Sequence, residues 1–324
     1  MKKQHYFIIS ILVLIISIIA GLCVGSEWIN PFAVAGDLIY GSDSLKTEIL
    51  IKIRFPRIMA AAFVGAALSV SGTVFQSIFR NPLADPFITG VSGGASLGIS
   101  AAVIFALGPA ITVIFSFSGS ILAIIILYLL SYGRGFGGGI FILGGVALSY
   151  IFSSSVMLLF TLAKSQNVHK AIIWMMGDLS SYGDVSQVVV SIMILVIILL
   201  IRIYHRHLNI IAFGRSFSNS SGLADSEMRL ILVLASVLSA LSVILGGIVP
   251  FVGLMVPHLI RFLCGHDNES LVPLSAVNGA AFLIVSDAVG RSLIVPYEIP
   301  VGVITGFTGG LFFLFFVIRE RGGY

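Results

Sequence analysis

Apolar stretches of about 20 residues recur from one end of this chain to the other, and about 20 residues of helix are needed to cross roughly 30 Å of hydrocarbon. They fall at about 7–25, 57–79, 88–106, 110–131, 139–164, 184–204, 229–247, 251–263, 272–290 and 300–318, bounded by charges and by Pro/Gly punctuation. Only 10% of the 324 residues are charged, against roughly 25% in an ordinary soluble domain. No segment is long and polar enough to be a separate soluble domain. The sequence predicts an all-α, polytopic membrane protein of about ten transmembrane helices, some broken or short, with residues 1–324 as a single transmembrane domain.

Ten crossings place both termini on one side, and both are basic: Lys2 and Lys3 at the start, Arg319 and Arg321 at the end. Lysine and arginine accumulate in short cytoplasmic loops. With both ends inside, eleven of the 18 Lys and Arg residues fall on the cytoplasmic side. Membrane orientation thus accounts for the net charge of +4, and no nucleic-acid partner is needed; lipid is the expected surround. The run from Phe7 to Val24 is long for a signal sequence, and bulky Leu22 precedes Cys23, so an uncleaved first helix is expected. Cys23 and Cys264 lie far apart in or beside apolar segments and suggest neither a disulfide nor a metal site.

Three segments differ from ordinary lipid-facing helices. Glycines fall four apart at Gly90, Gly94 and Gly98, and again at Gly302, Gly306 and Gly310. That spacing puts them on one helix face, where a second backbone can approach closely. Gly246-Gly247-Ile248-Val249-Pro250-Phe251-Val252-Gly253 interrupts apolar sequence with helix breakers and predicts a broken helix followed by a short one. Such breaks survive at membrane depth where protein or a water-filled cavity satisfies the freed backbone groups. Tight packing in a large bundle and a lined pathway are both open readings.

Motifs for covalent chemistry are missing: no His-Glu-x-x-His pair, no Gly-x-Ser-x-Gly elbow and no phosphate loop. His258 reads as a structural residue within an apolar segment. Secondary transporters carry ionisable groups near the bilayer midplane, whereas here charges gather at segment ends, with Asp287 and Arg291 four apart and able to pair along one face. An ATP-independent transporter or channel is the alternative class, with a membrane-embedded enzyme third. The polar loop at about 205–226 is either a solvated connector or the place where a small helix docks an energy-supplying partner. Arg54 and Arg57 stand at a helix entrance, as interfacial anchors or as receivers of a partner's carboxylates.

In these residues the chain resembles the permease subunits of type II ABC importers for iron-siderophores, haem and cobalamin. The most specific stretch is Arg54-Phe55-Pro56-Arg57, then Gly65-Ala66-Ala67-Leu68-Ser69-Val70-Ser71-Gly72, Gln76, Arg80-Asn81-Pro82-Leu83-Ala84-Asp85-Pro86 and Gly90-Val91-Ser92-Gly93-Gly94-Ala95. Trp174-Met175-Met176-Gly177, Phe251 to Arg261, Asp287 to Arg291 and Glu298-Ile299-Pro300-Val301-Gly302 extend it over nearly the whole chain.

The resemblance implies a permease of ten helices, paired with a second copy or a similar permease and driven by two cytoplasmic ATPase subunits. ATP and Mg would reside on those subunits, with no cofactor on this chain. An extracytoplasmic substrate-binding protein would deliver the ligand, docking on Arg54, Arg57 and Arg291. The multi-pass chain would lie in a bacterial or archaeal cytoplasmic (inner) membrane. Its coupling loop maps to Gly214, Arg215, Ser216, Phe217, Ser218 and onward to Gly222, and its cytoplasmic gate to Gly138 and Gly139. The loop departs from the family pattern: its glycines are in place, but the acidic residues and the leucine are not.

Overall fold

The computed structural model describes residues 2–30, 45–131, 138–180, 185–214 and 225–321. Among these residues there are twelve helices of nine residues or more and no strand. They are α1 (Lys2–Cys23), α2 (Phe55–Phe79), α3 (Val91–Ile104), α4 (Pro109–Ser131), α5 (Gly138–Leu162) and α6 (Ser165–Met175), then α7 (Val185–Ile203), α8 (His205–Phe213), α9 (Asp225–Gly246), α10 (Val252–Cys264), α11 (Asn268–Ser292) and α12 (Val301–Arg321).

All ten apolar segments read from the sequence are helices. Six are long and apolar enough to cross a membrane, α7 makes a seventh if α8, bent from it by 59°, is counted with it, and α3, α10 and the apolar part of α12 are shorter. At 1.5 Å per residue, α3 and α10 are each only about 20 Å long, so neighbouring backbone must complete those crossings. A 3₁₀ turn at Pro86–Thr89 leads into α3, and a non-helical stretch at 247–251 leads into α10. The break predicted at 246–253 is therefore present. α6 and its junction with α12 were not foreseen.

α2 is the centre of the bundle, packed against α9, α10 and α11. It is buried along most of its length from Arg57 to Ser77, which a helix tolerates only when it is apolar or small on every side. Small residues set how close its neighbours come. A methyl group added at Gly72 would land within the Gly253 carbonyl of α10, and one at Gly65 within the Gly279 carbonyl of α11. Backbone-to-backbone approach of this kind replaces the hydrophobic driving force that lipid cannot supply.

α1 and α11 run parallel and are pinned at both ends. At one end Lys3 Nζ lies 2.6 Å from Asp267 Oδ2, and Asn209 Nδ2 of α8 donates to Asp267 Oδ1 at 2.9 Å. Asn209 Oδ1 in turn accepts from the Asn268 backbone N–H at 2.8 Å and its side chain at 2.9 Å. The Lys3 hydrogen bond, against a smaller opposing effect of burial, holds the Asp267 carboxyl well below its ordinary 3.8, at about 2. A carboxylate with a depressed folded-state pKa stabilises the fold above its unfolded value and loses that contribution as pH falls through the folded one. Lys3→Met should therefore lower the thermal midpoint of the purified protein at pH 6, with the difference from wild type closing between pH 4 and pH 2. The pair is exposed to solvent, which screens it, so the shift should be small.

Candidate functional site

At the opposite end of α1, three arginines converge. The last-turn carbonyls of a helix have no intrahelical donors and carry partial negative charge. Arg54 Nη1 donates to the Leu22 and Cys23 carbonyls at 2.6 and 2.8 Å, Arg54 Nη2 to the Glu27 carbonyl, and Arg291 Nη2 to the Gly21 carbonyl at 3.0 Å. The two guanidiniums thus cap the C-terminus of α1.

Asp287 ties this cap to α2. Its Oδ1 accepts from Arg57 Nε at 2.8 Å and its Oδ2 from Arg291 Nε at 2.9 Å, so the expected i, i+4 pair is present and shared with a third helix. Arg57 Nη1 also reaches Glu298 Oε2 at 2.6 Å. The three arginines and Asp287 are all buried, while the Glu298 side chain is 50% exposed. The arginines singled out for docking therefore meet in space, but their guanidiniums are occupied inside the chain.

The second feature surrounds the helix break. α9 ends at Gly246, and α10 restarts from Phe251, whose φ of +67° places a non-glycine residue in the left-handed region. Its ring lies where a side chain at Gly309 would be. Gln76 of α2 serves the restarted helix, donating through Nε2 to the Gly253 and Leu254 carbonyls at 3.3 and 3.2 Å and accepting from Arg261 at 2.7 Å. The end of α6 caps the start of α12: the Val301 and Gly302 N–H groups donate to the Gly177 and Met176 carbonyls at 3.3 and 3.1 Å. Three stretches distant in sequence, 174–177, 246–253 and 298–302, are thereby brought together.

Beside this junction lies a cavity of about 540 Å³, within the range of small-molecule sites. Ile248 and Pro250 of the break form one side, and Ser92 and Ser96 of α3 another. Ser149, Ser153 and Met157 of α5, Met175 of α6, and Asp85 and Phe87 before α3 complete most of the wall. Asp85, which sequence reasoning did not select, caps the 3₁₀ turn by accepting from the Phe87 N–H at 2.9 Å. The Asp85-Pro86 pair was the available signal, since an acidic residue before proline favours an extended cap.

The other expected residues divide. Gly94 and Gly98 lie where α3 meets the α4 backbone at Gly119 and Phe115, and Gly90, at φ +74°, starts α3. Gly302 packs under the Met176 and Ile248 carbonyls and Gly306 faces Pro250, but Gly310 has open space where a Cβ would be. On α12 the close approach continues through Gly309 instead. Gly138 and Gly139 open α5. Gly214 ends α8 at φ +114°, whereas Arg215, Ser216, Phe217, Ser218 and Gly222 lie outside the described residues. His258 sets its ring edge-on to Phe316 at 4.8 Å between centroids.

A bundle with helices broken beside a cavity and backbone ends facing it has the architecture of a membrane transport subunit. The profile of the FecCD transport family matches residues 13–319, and the chain belongs to that family. It is 34% identical to the hemin transport system permease protein HmuU of Yersinia pestis, over 85% of this chain and 84% of the relative. It is 36% identical to the cobalamin import system permease protein BtuC of Halobacterium salinarum, over 89% and 78%. Among solved structures, a metal-chelate type ABC transporter in an inward-facing conformation superposes with a TM-score of 0.85 at 27% identity, covering 98% of this chain and 99% of that one. The chain is a transport component, not an enzyme.

Proposed function

We propose that this permease imports a metal chelate or corrinoid across a bacterial or archaeal cytoplasmic membrane, with the Arg54 end facing outward and both termini inside. Residues 1–324 act as one transmembrane unit. A second copy or a similar permease faces the cavity side and completes the passage. Two cytoplasmic ATPases carry ATP and Mg and engage the stretch from Gly214 to Gly222, while Gly138 and Gly139 close the inner exit. Nucleotide binding there shifts the pair between outward- and inward-open states with different ligand affinity.

The observation that carries this reading is the cavity at the helix break, reached by five separate segments of a chain matched along nearly its whole length by a transport family. At the outer end, the three guanidiniums meet the carboxylates of Asp287 and Glu298 and feel that of Glu27, so an acidic binding-protein surface would dock by exchanging a carboxylate with one of these. Glu298, half-exposed on Arg57, is where an incoming carboxylate would first compete.

Cells lacking the gene should lose energy-dependent accumulation of the chelate, and complemented cells should stop accumulating it when ATP is exhausted while the membrane potential is clamped. Accumulation that continues without nucleotide would overturn the assignment in favour of ion-coupled transport.

A further inference from the structure

A second cavity, also of about 540 Å³, opens at the Lys3 end of the bundle, where the start of α1, the end of α7 and the start of α11 meet. Its wall carries both signs of charge: Lys3 from α1, Arg202 from α7 and Glu269 from α11. Lys3 is committed to Asp267. Arg202 and Glu269 form no side-chain hydrogen bond or ion pair among the described residues, and Glu269 acts on Lys3 only through space.

A purely basic pocket between membrane helices would select an anionic headgroup. Here an anion would also meet Glu269, and a cation would meet Arg202. The ligand that satisfies both carries a negative and a positive group close together. From the same cavity an exposed apolar stripe continues along α1 through Ile8, Leu12, Ile15 and Ile19, three or four residues apart and so on one helix face.

We propose that this cavity binds a phospholipid from the leaflet at the Lys3 end, with a zwitterionic headgroup that ends in a primary ammonium, as in phosphatidylethanolamine. Its phosphate accepts from Arg202, its ammonium donates to Glu269, and its acyl chains follow the stripe on α1. A quaternary ammonium has no N–H to donate, so phosphatidylcholine fits less well. The lipid joins α1, α7 and α11 beside the contact between Asn209 and Asn268 and steadies that end of the bundle.

Full-length permease in mild detergent is titrated with phosphatidylethanolamine, phosphatidylcholine and phosphatidylglycerol of identical acyl chains. Native mass spectrometry reads occupancy, and thermal unfolding reads the linked stabilisation. The variants are Arg202→Gln, Glu269→Gln and Arg206→Gln, the last removing a positive charge from an exposed position on α8 outside the cavity.

Wild type should bind phosphatidylethanolamine about fivefold more tightly than phosphatidylcholine, the value of a charge-assisted hydrogen bond in a partly solvated site. Glu269→Gln should erase that preference and improve binding of phosphatidylglycerol. Arg202→Gln should weaken phosphatidylethanolamine and phosphatidylglycerol alike, and Arg206→Gln should match wild type. Equal binding of phosphatidylethanolamine and phosphatidylcholine by wild type would overturn the proposal, and so would tightest binding of phosphatidylglycerol; neither result needs a variant to fold. A preference that survives both cavity variants, or falls equally in Arg206→Gln, would also overturn it. None of these readouts involves transport, so the import reading stands or falls separately.

Discussion

Asp287→Ala should abolish the recoverable folded protein, with a loss of about 3–5 kcal/mol. Asp287 is the only buried carboxylate in the cluster and sits between two buried guanidiniums, Arg57 and Arg291. Removing it leaves Arg57 with half-exposed Glu298 and leaves Arg291 with a single carbonyl contact. A charge left buried without its counter-ion costs that much, whereas a pair between exposed groups contributes at most about 1 kcal/mol. Glu298→Gln should therefore shift the thermal midpoint of the detergent-purified protein only slightly. Equal behaviour of the two variants would show that the arginine cluster does not hold α1, α2 and α11 together.

The second large effect is expected from a single methyl group. Gly72→Ala forces α2 away from α10, because the added carbon meets the Gly253 backbone and backbone cannot rotate aside. Overpacking of a tight core costs about 1–3 kcal/mol and more where nothing can yield; here the upper end applies. Gly310→Ala, placed in open space on α12, should instead be neutral or stabilise by up to about 1 kcal/mol through helix propensity. Gel filtration and thermal unfolding in mild detergent separate the two. A Gly72→Ala protein as stable as Gly310→Ala would refute the close α2–α10 contact.

Hydropathy located every crossing helix, because the solvent, not tertiary packing, dictates that pattern, and Gly-Pro punctuation located the break at 246–253. The seams of the bundle were less legible. Glycines four apart identified Gly94 and Gly98 on α3, but on α2 the contacts fall at Gly65 and Gly72, seven apart, one against α11 and the other against α10. A search at a single spacing passes over a helix that touches different partners at successive heights.

The arginines show a different gap. Arg54, Arg57 and Arg291 were found as residues, yet their inward orientation depends on helix ends 31 to 270 positions away. Nothing local in the sequence announces that the carbonyls of α1 need capping from α2 and α11. Asp85 escaped notice because a charge in a loop reads as solvated until the turn beside it is known to face a cavity.

α11 joins the two ends of the molecule. It is 25 residues long, which makes it a rod of about 37 Å, with Asn209 of α8 gripping its first residue and Arg57 and Arg291 meeting on Asp287 near its last turn. A displacement of α8 would therefore have one continuous helix along which to reach the Arg57–Arg291 end of the bundle.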